Sequence, residues 1–209
     1  MDLRSLDFAV VDVESTGGSV HGGDRIMEIG IVHVRDGVAT TVVEFLIDPQ
    51  RPIPPFVSRL TGIRWDMVVE APTFGDIADR VLDALDGRVF VAHNARFDWR
   101  FVNMELRRAT GRSLGSRRLC TVKLARKLLT HLPRRNLDAL AWHYHVPIAG
   151  RHRAGGDARA TAQVLTRLLA DARRRDIDDW NQLQALLATP ALPRRRSYLP
   201  QPVSVEAIA

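Results

Sequence analysis

The sequence predicts an α/β fold in which a mixed β-sheet is flanked by helices on both faces. In the first part of the chain, short apolar runs rich in β-branched residues predict strands. From residue 73 onward the apolar residues recur with helical spacing, interrupted by a short strand at 88–92. An order of three strands, helix, strand and further helices is typical of this layered class.

Three strands open the chain, and we expect them to form an antiparallel meander. They are predicted at 8–13, 26–34 and 39–47, and Arg35-Asp36-Gly37 supplies the turn between the last two. Four prolines between Pro49 and Pro55 then favour an extended loop, because proline donates no backbone hydrogen bond.

The helical part begins with an amphipathic helix at 73–86, with Thr73 as its N-cap and Gly87 just beyond its end. After the strand at 88–92, a helix is predicted from about Asp98 to Thr110, followed by a short strand near 118–122. Further helices are predicted near 121–130, 136–144, 157–175 and 178–188.

Length and composition fit one globular domain with an added C-terminal segment. We expect the domain at 1–175, followed at 176–209 by a short helix and a flexible basic tail. The one cysteine, Cys120, excludes an intramolecular disulfide and suits a reducing compartment. The N-terminus lacks the apolar core of a signal peptide, and no apolar run approaches the ~20 residues that cross a bilayer. These features predict a cytoplasmic protein without a membrane partner.

Charge is distributed unevenly along the chain, although the net value is +6. Residues 1–98 hold 9 basic and 16 acidic residues, whereas residues 99–153 hold 13 basic and 2 acidic ones. A basic surface attracts polyanions, above all nucleic-acid phosphates. The alternative is the solvated surface of an arginine-rich protein, since 28 of the 30 basic residues are arginine.

Asp12 and Glu14 stand two residues apart in the first predicted strand, so both side chains point to the same face. Two carboxylates that close an apolar strand are costly to bury unless a cation joins them, and Mg²⁺ prefers carboxylate oxygen. The turn that follows, Ser15-Thr16-Gly17, allows close backbone approach to a ligand. The alternative is that the strand ends here and both carboxylates are solvated.

Two further carboxylates lie near the starts of predicted helices. Asp98 follows the strand at 88–92, and Asp157 lies on the stripe of its helix that faces the core. Either residue alone is compatible with an ordinary N-cap. His152 lies in the glycine-rich basic loop before Asp157, and a histidine beside an activated water is suited to act as a general base. We expect all these residues to converge at one edge of the sheet, as two-metal phosphodiester hydrolysis needs.

In order and spacing these motifs resemble those of the DEDDh exonucleases, the superfamily that includes the epsilon-type proofreading subunits of bacterial DNA polymerase III. The matching segments are Asp12-Val13-Glu14-Ser15-Thr16-Gly17, Leu60-Thr61-Gly62-Ile63, His93-Asn94-Ala95-Arg96-Phe97-Asp98 and His152-Arg153-Ala154-Gly155-Gly156-Asp157-Ala158. The resemblance covers about residues 6–172.

The resemblance implies a ribonuclease H-like fold and a metal-dependent 3′→5′ exonuclease. Such an enzyme releases nucleoside 5′-monophosphates from the 3′ end of single-stranded or frayed DNA, as in proofreading. It implies that four carboxylates hold two divalent ions, Mg²⁺ or Mn²⁺, and that His152 takes the proton of the attacking water. The implied metal ligands are Asp12, Glu14, Asp98 and Asp157. The implied substrate contacts are Ser15, Thr16, Gly17, Leu60, Thr61, Ile63, Asn94 and Phe97. For the apolar residues among these contacts, core packing is the alternative.

Three questions stay open at this point. The substrate is either DNA or RNA, including short oligonucleotides, because the motifs address the metals and the terminal nucleotide. A non-catalytic nucleic-acid-binding module is a further alternative. Within residues 178–209, the segment Gln182-Leu183-Gln184-Ala185-Leu186-Leu187 is either a polymerase- or sliding-clamp-binding peptide or an amphipathic terminal helix.

Overall fold

The computed structural model describes residues 1–115 and 117–190. They form one five-stranded sheet of order β3-β2-β1-β4-β5. The strands are β1 (Asp7–Ser15), β2 (Ile26–Arg35), β3 (Val38–Leu46), β4 (Val89–Ala92) and β5 (Arg118–Cys120). The first three are antiparallel neighbours, whereas β4 lies parallel to β1 and β5 parallel to β4. The predicted mixed sheet is therefore confirmed.

The helices lie after the meander and between the parallel strands. They are α1 (Pro55–Thr61), α2 (Trp65–Val68), α3 (Phe74–Leu85), α4 (Arg96–Thr110), α5 (Thr121–Leu128), α6 (Leu137–Tyr144), α7 (Ala154–Arg173) and α8 (Trp180–Ala188). Thr73 caps α3 in a capping box with Asp76, and Gly87 follows that helix with a φ of 69°, as the sequence predicts.

Two short helices, α1 and α2, were not predicted. The proline-rich stretch at 49–55 is irregular as expected, but its last residue, Pro55, is the first residue of α1. Proline suits that position because its fixed φ matches the helix and its missing N–H has no intrahelical partner there. Helices this short show too few turns for an apolar period to be read from the sequence.

Two hydrophobic cores cover the two faces of the sheet. On one face, Phe8 and Val10 of β1 pack with α5, α6 and α7. On the other face, Val11 and Val13 pack with α3 and α4. Helix α8 places Leu183 in the first core, so the helix predicted at 178–188 packs onto the same face as α7. The predicted basic tail, apart from residues 189 and 190, lies outside the described residues.

No helix among the described residues combines the length and the apolar character that a membrane span requires.

Candidate active site

The candidate site lies at the carboxyl end of β1, on the face covered by α7. Because strand side chains alternate, Asp12 and Glu14 continue the row begun by Phe8 and Val10 on this face. In the ladder with β2, Asp12 stands opposite Gly30 and Glu14 stands opposite Glu28. The sequence prediction that both carboxylates share one face is thus consistent with the observed burial.

Glycines let the first turn of α7 lie directly on the sheet beside these carboxylates. A Cβ atom on Gly30 would stand 2.5 Å from the carbonyl oxygen of Ala154, closer than a real Cβ atom approaches another heavy atom. A Cβ on Gly155 would overlap the Glu44 carboxylate, and one on Gly156 would overlap the carbonyl oxygen of Ala149. This close approach brings Asp157, in the first turn of α7, over the end of β1.

Neither Asp98 nor Asp157 is a helix N-cap. Helix α4 begins two residues before Asp98 with Ala95 as its cap, and α7 begins three residues before Asp157 with Arg153 as its cap. Both carboxylates therefore point inward from the first turn of a helix, and both are buried. This excludes the N-cap alternative for either residue.

Asp98 is tied to β1 itself. Its Oδ1 accepts a hydrogen bond of 3.2 Å from the backbone N–H of Val13, between Asp12 and Glu14. The pairing of β4 with β1 covers only residues 8–10 of β1, so this amide lies beyond the pairs made with β4. The Asp98 carboxylate thus accepts the hydrogen bond of a β1 backbone N–H at a point where β4 no longer pairs with β1.

The carboxylates form one electrostatic cluster with His152. Glu14, His152 and Asp157 each offer a ligand atom, and these atoms lie within 4.8 Å of one another. Burial raises the pKa of Asp12 well above its ordinary value, and the charges of Asp98, Asp157 and Glu14 raise it further. The four predicted metal ligands therefore lie close enough to repel one another strongly.

The same causes act on the other carboxyl groups. Burial, followed by the charge of Asp157, raises the pKa of Glu14 to about 8. Burial raises the pKa of Asp98 to about 7. Burial also raises the pKa of Asp157, against the opposing charge of Arg151. Such a cluster is not stable as a set of four anions, so it favours added positive charge.

The donor atoms fit a divalent cation. Asp157 Oδ1 is buried and has no hydrogen-bond partner among the described residues, so one acceptor of the cluster is left for a ligand. Carboxylate oxygens are the donors that suit Mg²⁺ or Mn²⁺, and four carboxylates meet here.

His152 is held by its backbone. Its φ is 60°, a conformation that non-glycine residues seldom adopt, and its N–H donates to Asp157 Oδ2 at 3.3 Å. The neighbouring Arg151 forms an ion pair with Asp157 and a second one, of 2.9 Å, with Asp138. The loop before α7 therefore places both His152 and the positively charged Arg151 beside the carboxylates.

Sequence reasoning missed an ion pair that anchors this loop. Glu28 on β2 is 1% exposed and accepts hydrogen bonds from Arg153 Nη2 at 2.6 Å and from the Ala154 N–H at 2.8 Å. The available signal was an acidic residue in the middle of an apolar strand, which needs a buried partner. Arg151 was missed as well, although it stands next to His152 in the sequence.

In the turn after β1, the side chains predicted to contact the substrate form contacts within the protein. Ser15 Oγ donates to the carbonyl oxygen of Gly17 at 2.6 Å, and Thr16 Oγ1 lies 3.3 Å from Asp24 Oδ1. Both side chains are buried. A Cβ on Gly17 would overlap the carboxylate of Asp24, so the loop at 19–24 folds closely onto this turn.

The other predicted substrate contacts differ in exposure. Leu60 is 58% exposed, whereas Ile63 is fully buried with Met27, Val57 and Val68. Ile63 therefore shows the core packing that was its alternative, and contact with a base would require this cluster to open. Thr61 is buried and donates to the carbonyl oxygen of Val57 at 3.0 Å.

Near Asp98, Asn94 is exposed with a φ of 77°, and Phe97 is partly buried. Phe97 packs against Phe101 with ring centroids 4.8 Å apart. Among the predicted side-chain contacts, Leu60, Asn94 and Phe97 thus present surface to a ligand.

Known proteins resemble this chain over most of its length. The exonuclease family model RNase_T matches residues 9–165. The chain is 30% identical over 170 residues to DNA polymerase III subunit epsilon of Aquifex aeolicus (strain VF5), covering 81% of this chain and 84% of that protein. It is 35% identical over 184 residues to the 3′-5′ exonuclease DinG of Bacillus subtilis (strain 168), covering 88% of this chain. The chain spans only 20% of the length of DinG.

Solved structures share the fold. Exonuclease X, in complex with 5′ overhanging duplex DNA, superposes with a TM-score of 0.68 at 26% identity, covering 87% of this chain and 99% of that one. The nuclease domain of 3′hExo, a DEDDh family member bound to rAMP, superposes with a TM-score of 0.66 at 18% identity, covering 82% and 95%.

Proposed function

We propose that this chain, which belongs to the RNase_T exonuclease family within the DEDDh exonuclease superfamily, is a metal-dependent 3′→5′ exonuclease acting on DNA. The observation that carries the proposal is the convergence of Asp12, Glu14, Asp98 and Asp157 with His152 at the end of β1. The substrate class, the metal and a role in proofreading are parts of the proposal.

The four carboxylates would hold two divalent ions, Mg²⁺ or Mn²⁺. When bound, such ions supply Lewis-acid stabilisation of the attacking water and of the leaving 3′ oxygen. Asp12 would be shared by the two ions, since the charges of all three other carboxylates act on it.

In the reaction, water attacks the phosphorus atom of the last phosphodiester and the bond from phosphorus to the 3′ oxygen breaks. His152 takes the proton of the water, which its place beside Glu14 and Asp157 allows. The 3′ oxygen leaves with the shortened strand, and the terminal residue departs as a nucleoside 5′-monophosphate.

The terminal nucleotide would lie against the exposed predicted contacts. Leu60 and Phe97 would pack on the terminal base, Asn94 would help to position the strand, and Gly17 would meet the terminal sugar through its backbone. Packing of this kind accepts any base, which suits an exonuclease without sequence preference.

The experiment that tests the proposal is a digestion assay with 3′-end-defined strands, with and without Mg²⁺ or Mn²⁺. We expect release of nucleoside 5′-monophosphates from the 3′ end, in the presence of either metal and not in EDTA. Release from the 5′ end, or activity that is unaffected by EDTA, would contradict the proposal.

RNA is the second candidate substrate. It is favoured by the resemblance in fold to 3′hExo, whose structure contains rAMP. Matched single-stranded DNA, mismatched duplex DNA and RNA of one sequence discriminate these substrates in the same assay. A preference of the enzyme for RNA would replace DNA in the proposal.

A non-catalytic binding module would keep the fold and lose the metal. All five catalytic residue types are present, which argues against this alternative. Isothermal titration with Mn²⁺ decides the matter, because a chain that binds nucleic acid but no Mn²⁺ would be such a module.

A polymerase or sliding-clamp contact by residues 178–209 stays part of the proposal. The three leucines of the segment at 182–187 pack toward the protein's own core, and Leu183 is fully buried. Deletion of residues 191–209 therefore tests the contact better than deletion of 178–209, because it leaves α8 in place. Unchanged co-purification of polymerase and clamp after that deletion would remove the idea for the tail.

A further inference from the structure

A concave surface, which we call the basic groove, lies near the carboxyl ends of β4 and β5, and both strands run in the same direction as β1. It has a volume of about 820 Å³ and lies between the start of α4, β5, α5 and α8. Six cationic residues line it: Arg96, Arg100, Arg117, Arg118, Lys123 and Arg126. No acidic residue of the described chain lines it.

The cations of the basic groove are not neutralised within the described part of the protein. None of the six forms an ion pair with a described carboxylate, whereas Arg25, Arg151 and Arg153 elsewhere in the protein all do. Arg118 instead lies over the Trp99 ring, 4.8 Å from its centroid.

Like charges are placed side by side on the helices of the groove. Arg96 and Arg100 stand four residues apart on α4, and Lys123 and Arg126 stand three apart on α5. Cations at these spacings share one helix face and repel each other, which destabilises the free helix slightly. A polyanion in the groove would relieve that repulsion.

The basic groove shares the segment after β4 with the candidate active site. Asn94, Ala95 and Arg96 line its wall, and the same segment leads directly to Asp98. Asn94, which we propose to position the strand, also lines the groove, so a strand whose 3′ end lies at the carboxylates would meet the groove with its upstream part.

We propose that the basic groove binds the phosphate backbone of the nucleic-acid substrate upstream of the 3′ end being cut. This inference rests on the proposed function. It involves only part of the basic block at 99–153, together with Arg96, and α8 forms one wall of the groove. Phosphate contacts of this kind position a strand without reading its sequence. They also make binding steeply dependent on salt.

The test is a charge-removing triple variant of the groove, R100Q/K123Q/R126Q, measured for binding of a labelled 20-nucleotide single strand. An Asp12→Asn background keeps the strand uncut. We expect about a tenfold or greater loss of affinity near 0.1 M salt, and a salt slope of log K lower by about 2, as three lost single-strand phosphate contacts give.

The matched control is R4Q/R107Q/R167Q, which removes the same charge from exposed positions outside the groove. The control should bind the strand within about twofold of the parent. A charge-retaining variant, R100K/K123R/R126K, should bind like the parent, and thermal unfolding of each variant reports whether it is folded.

Equal losses of affinity in the groove variant and the control would overturn the proposal, because net charge alone would then explain binding. An unchanged salt slope in the groove variant would overturn it too. Polyglutamate of matched charge that competes as well as the nucleic acid would point to an acidic peptide as the ligand. Failure of the exonuclease proposal is distinguishable, because cleavage by the parent chain is measured separately from this binding.

Discussion

Glu28 on β2 forms an ion pair with Arg153, the residue that precedes α7, with Oε1 2.6 Å from Nη2. The same carboxylate accepts the N–H of Ala154, so it also caps the start of α7 from a neighbouring strand. Glu28 stands opposite Glu14 in the sheet. One buried side chain thus fixes the position of the His152 loop relative to a predicted metal ligand.

Glu28→Gln is expected to lower kcat more than it raises KM, because Glu28 holds the loop and does not touch the substrate. The lost charge-assisted hydrogen bonds should lower the free energy of unfolding by about 2 kcal/mol. Steady-state kinetics and urea unfolding measure the two effects. Glu70→Gln is the control, since Glu70 is exposed and lies outside α7, so its substitution should matter by less than about 1 kcal/mol. Equal kinetic effects of both substitutions would contradict the positioning role.

Asp12→Ala is expected to abolish nuclease activity and leave the fold intact. It removes the central carboxylate of a mutually repelling cluster, so the metal-free variant should unfold at a higher temperature than the parent. A digestion assay and a thermal melt in EDTA check both outcomes. Asp79→Asn, on the exposed side of α3, should change neither. Full activity of the Asp12 variant would refute the assignment of the site.

The metal-free protein should lose stability as pH rises. The pKa of Glu14 is about 8 in the folded protein against an ordinary 4.5, and that of Asp98 is about 7 against 3.8. A carboxyl group whose pKa is raised by folding stabilises the folded protein. This contribution is complete at pH values below the pKa of the group in the unfolded chain, and it is lost as the pH rises through the pKa of the group in the folded protein. The loss should therefore fall between about pH 4 and pH 8.

Urea unfolding in EDTA across this pH range measures the effect. Saturating Mn²⁺ should reverse the slope, because deprotonated carboxylates bind the ion and the protonated ones do not. Glu14→Gln should flatten the slope in EDTA. If the metal-free protein gains stability from pH 5 to pH 8, folding does not raise the pKa values of Glu14 and Asp98 as expected.

Gly30→Ala is expected to push the first turn of α7 away from the sheet. The added methyl group would meet the backbone of Ala154 and not a flexible side chain, so we expect a loss of about 1–3 kcal/mol in the free energy of unfolding. Activity should fall with it, because Asp157 moves with α7.

Gly75→Ala on α3 is the matched control for this substitution. Its new methyl group would stand an ordinary 3.6 Å from the Thr73 side chain, and alanine favours a helix over glycine by about 1 kcal/mol. The control should be as stable as the parent or more so. If Gly30→Ala unfolds like its parent, the close approach does not limit the position of α7.

The fold class and the inward placement of three carboxylates could be predicted from the sequence because both follow from local periods. The alternation of β1 placed Asp12 beside Glu14, and the helical stripe turned Asp157 inward. The roles of these residues as ligands and of His152 as base stay predictions from the resemblance.

Other features depend on residues that are distant in the chain. Glu28 meets a partner 125 residues away, and no local period announces that pair. Ile63 lies in a motif that suggests substrate contact, yet its neighbours are Met27 and Val57 in a small core of their own. The start of α7 at Ala154 instead of 157 depends on the Glu28 cap, which a helical period cannot reveal.

The hydrogen bond from Val13 to Asp98 limits what Asp98 can offer a metal ion. One carboxylate oxygen is engaged by the main chain, so the other oxygen is the one left for an ion, should Asp98 hold one as proposed. The Val13 amide already orients this carboxylate in the protein without an ion. This half of the site should therefore keep its shape when ions and product leave, and be ready for the next nucleotide without rearrangement.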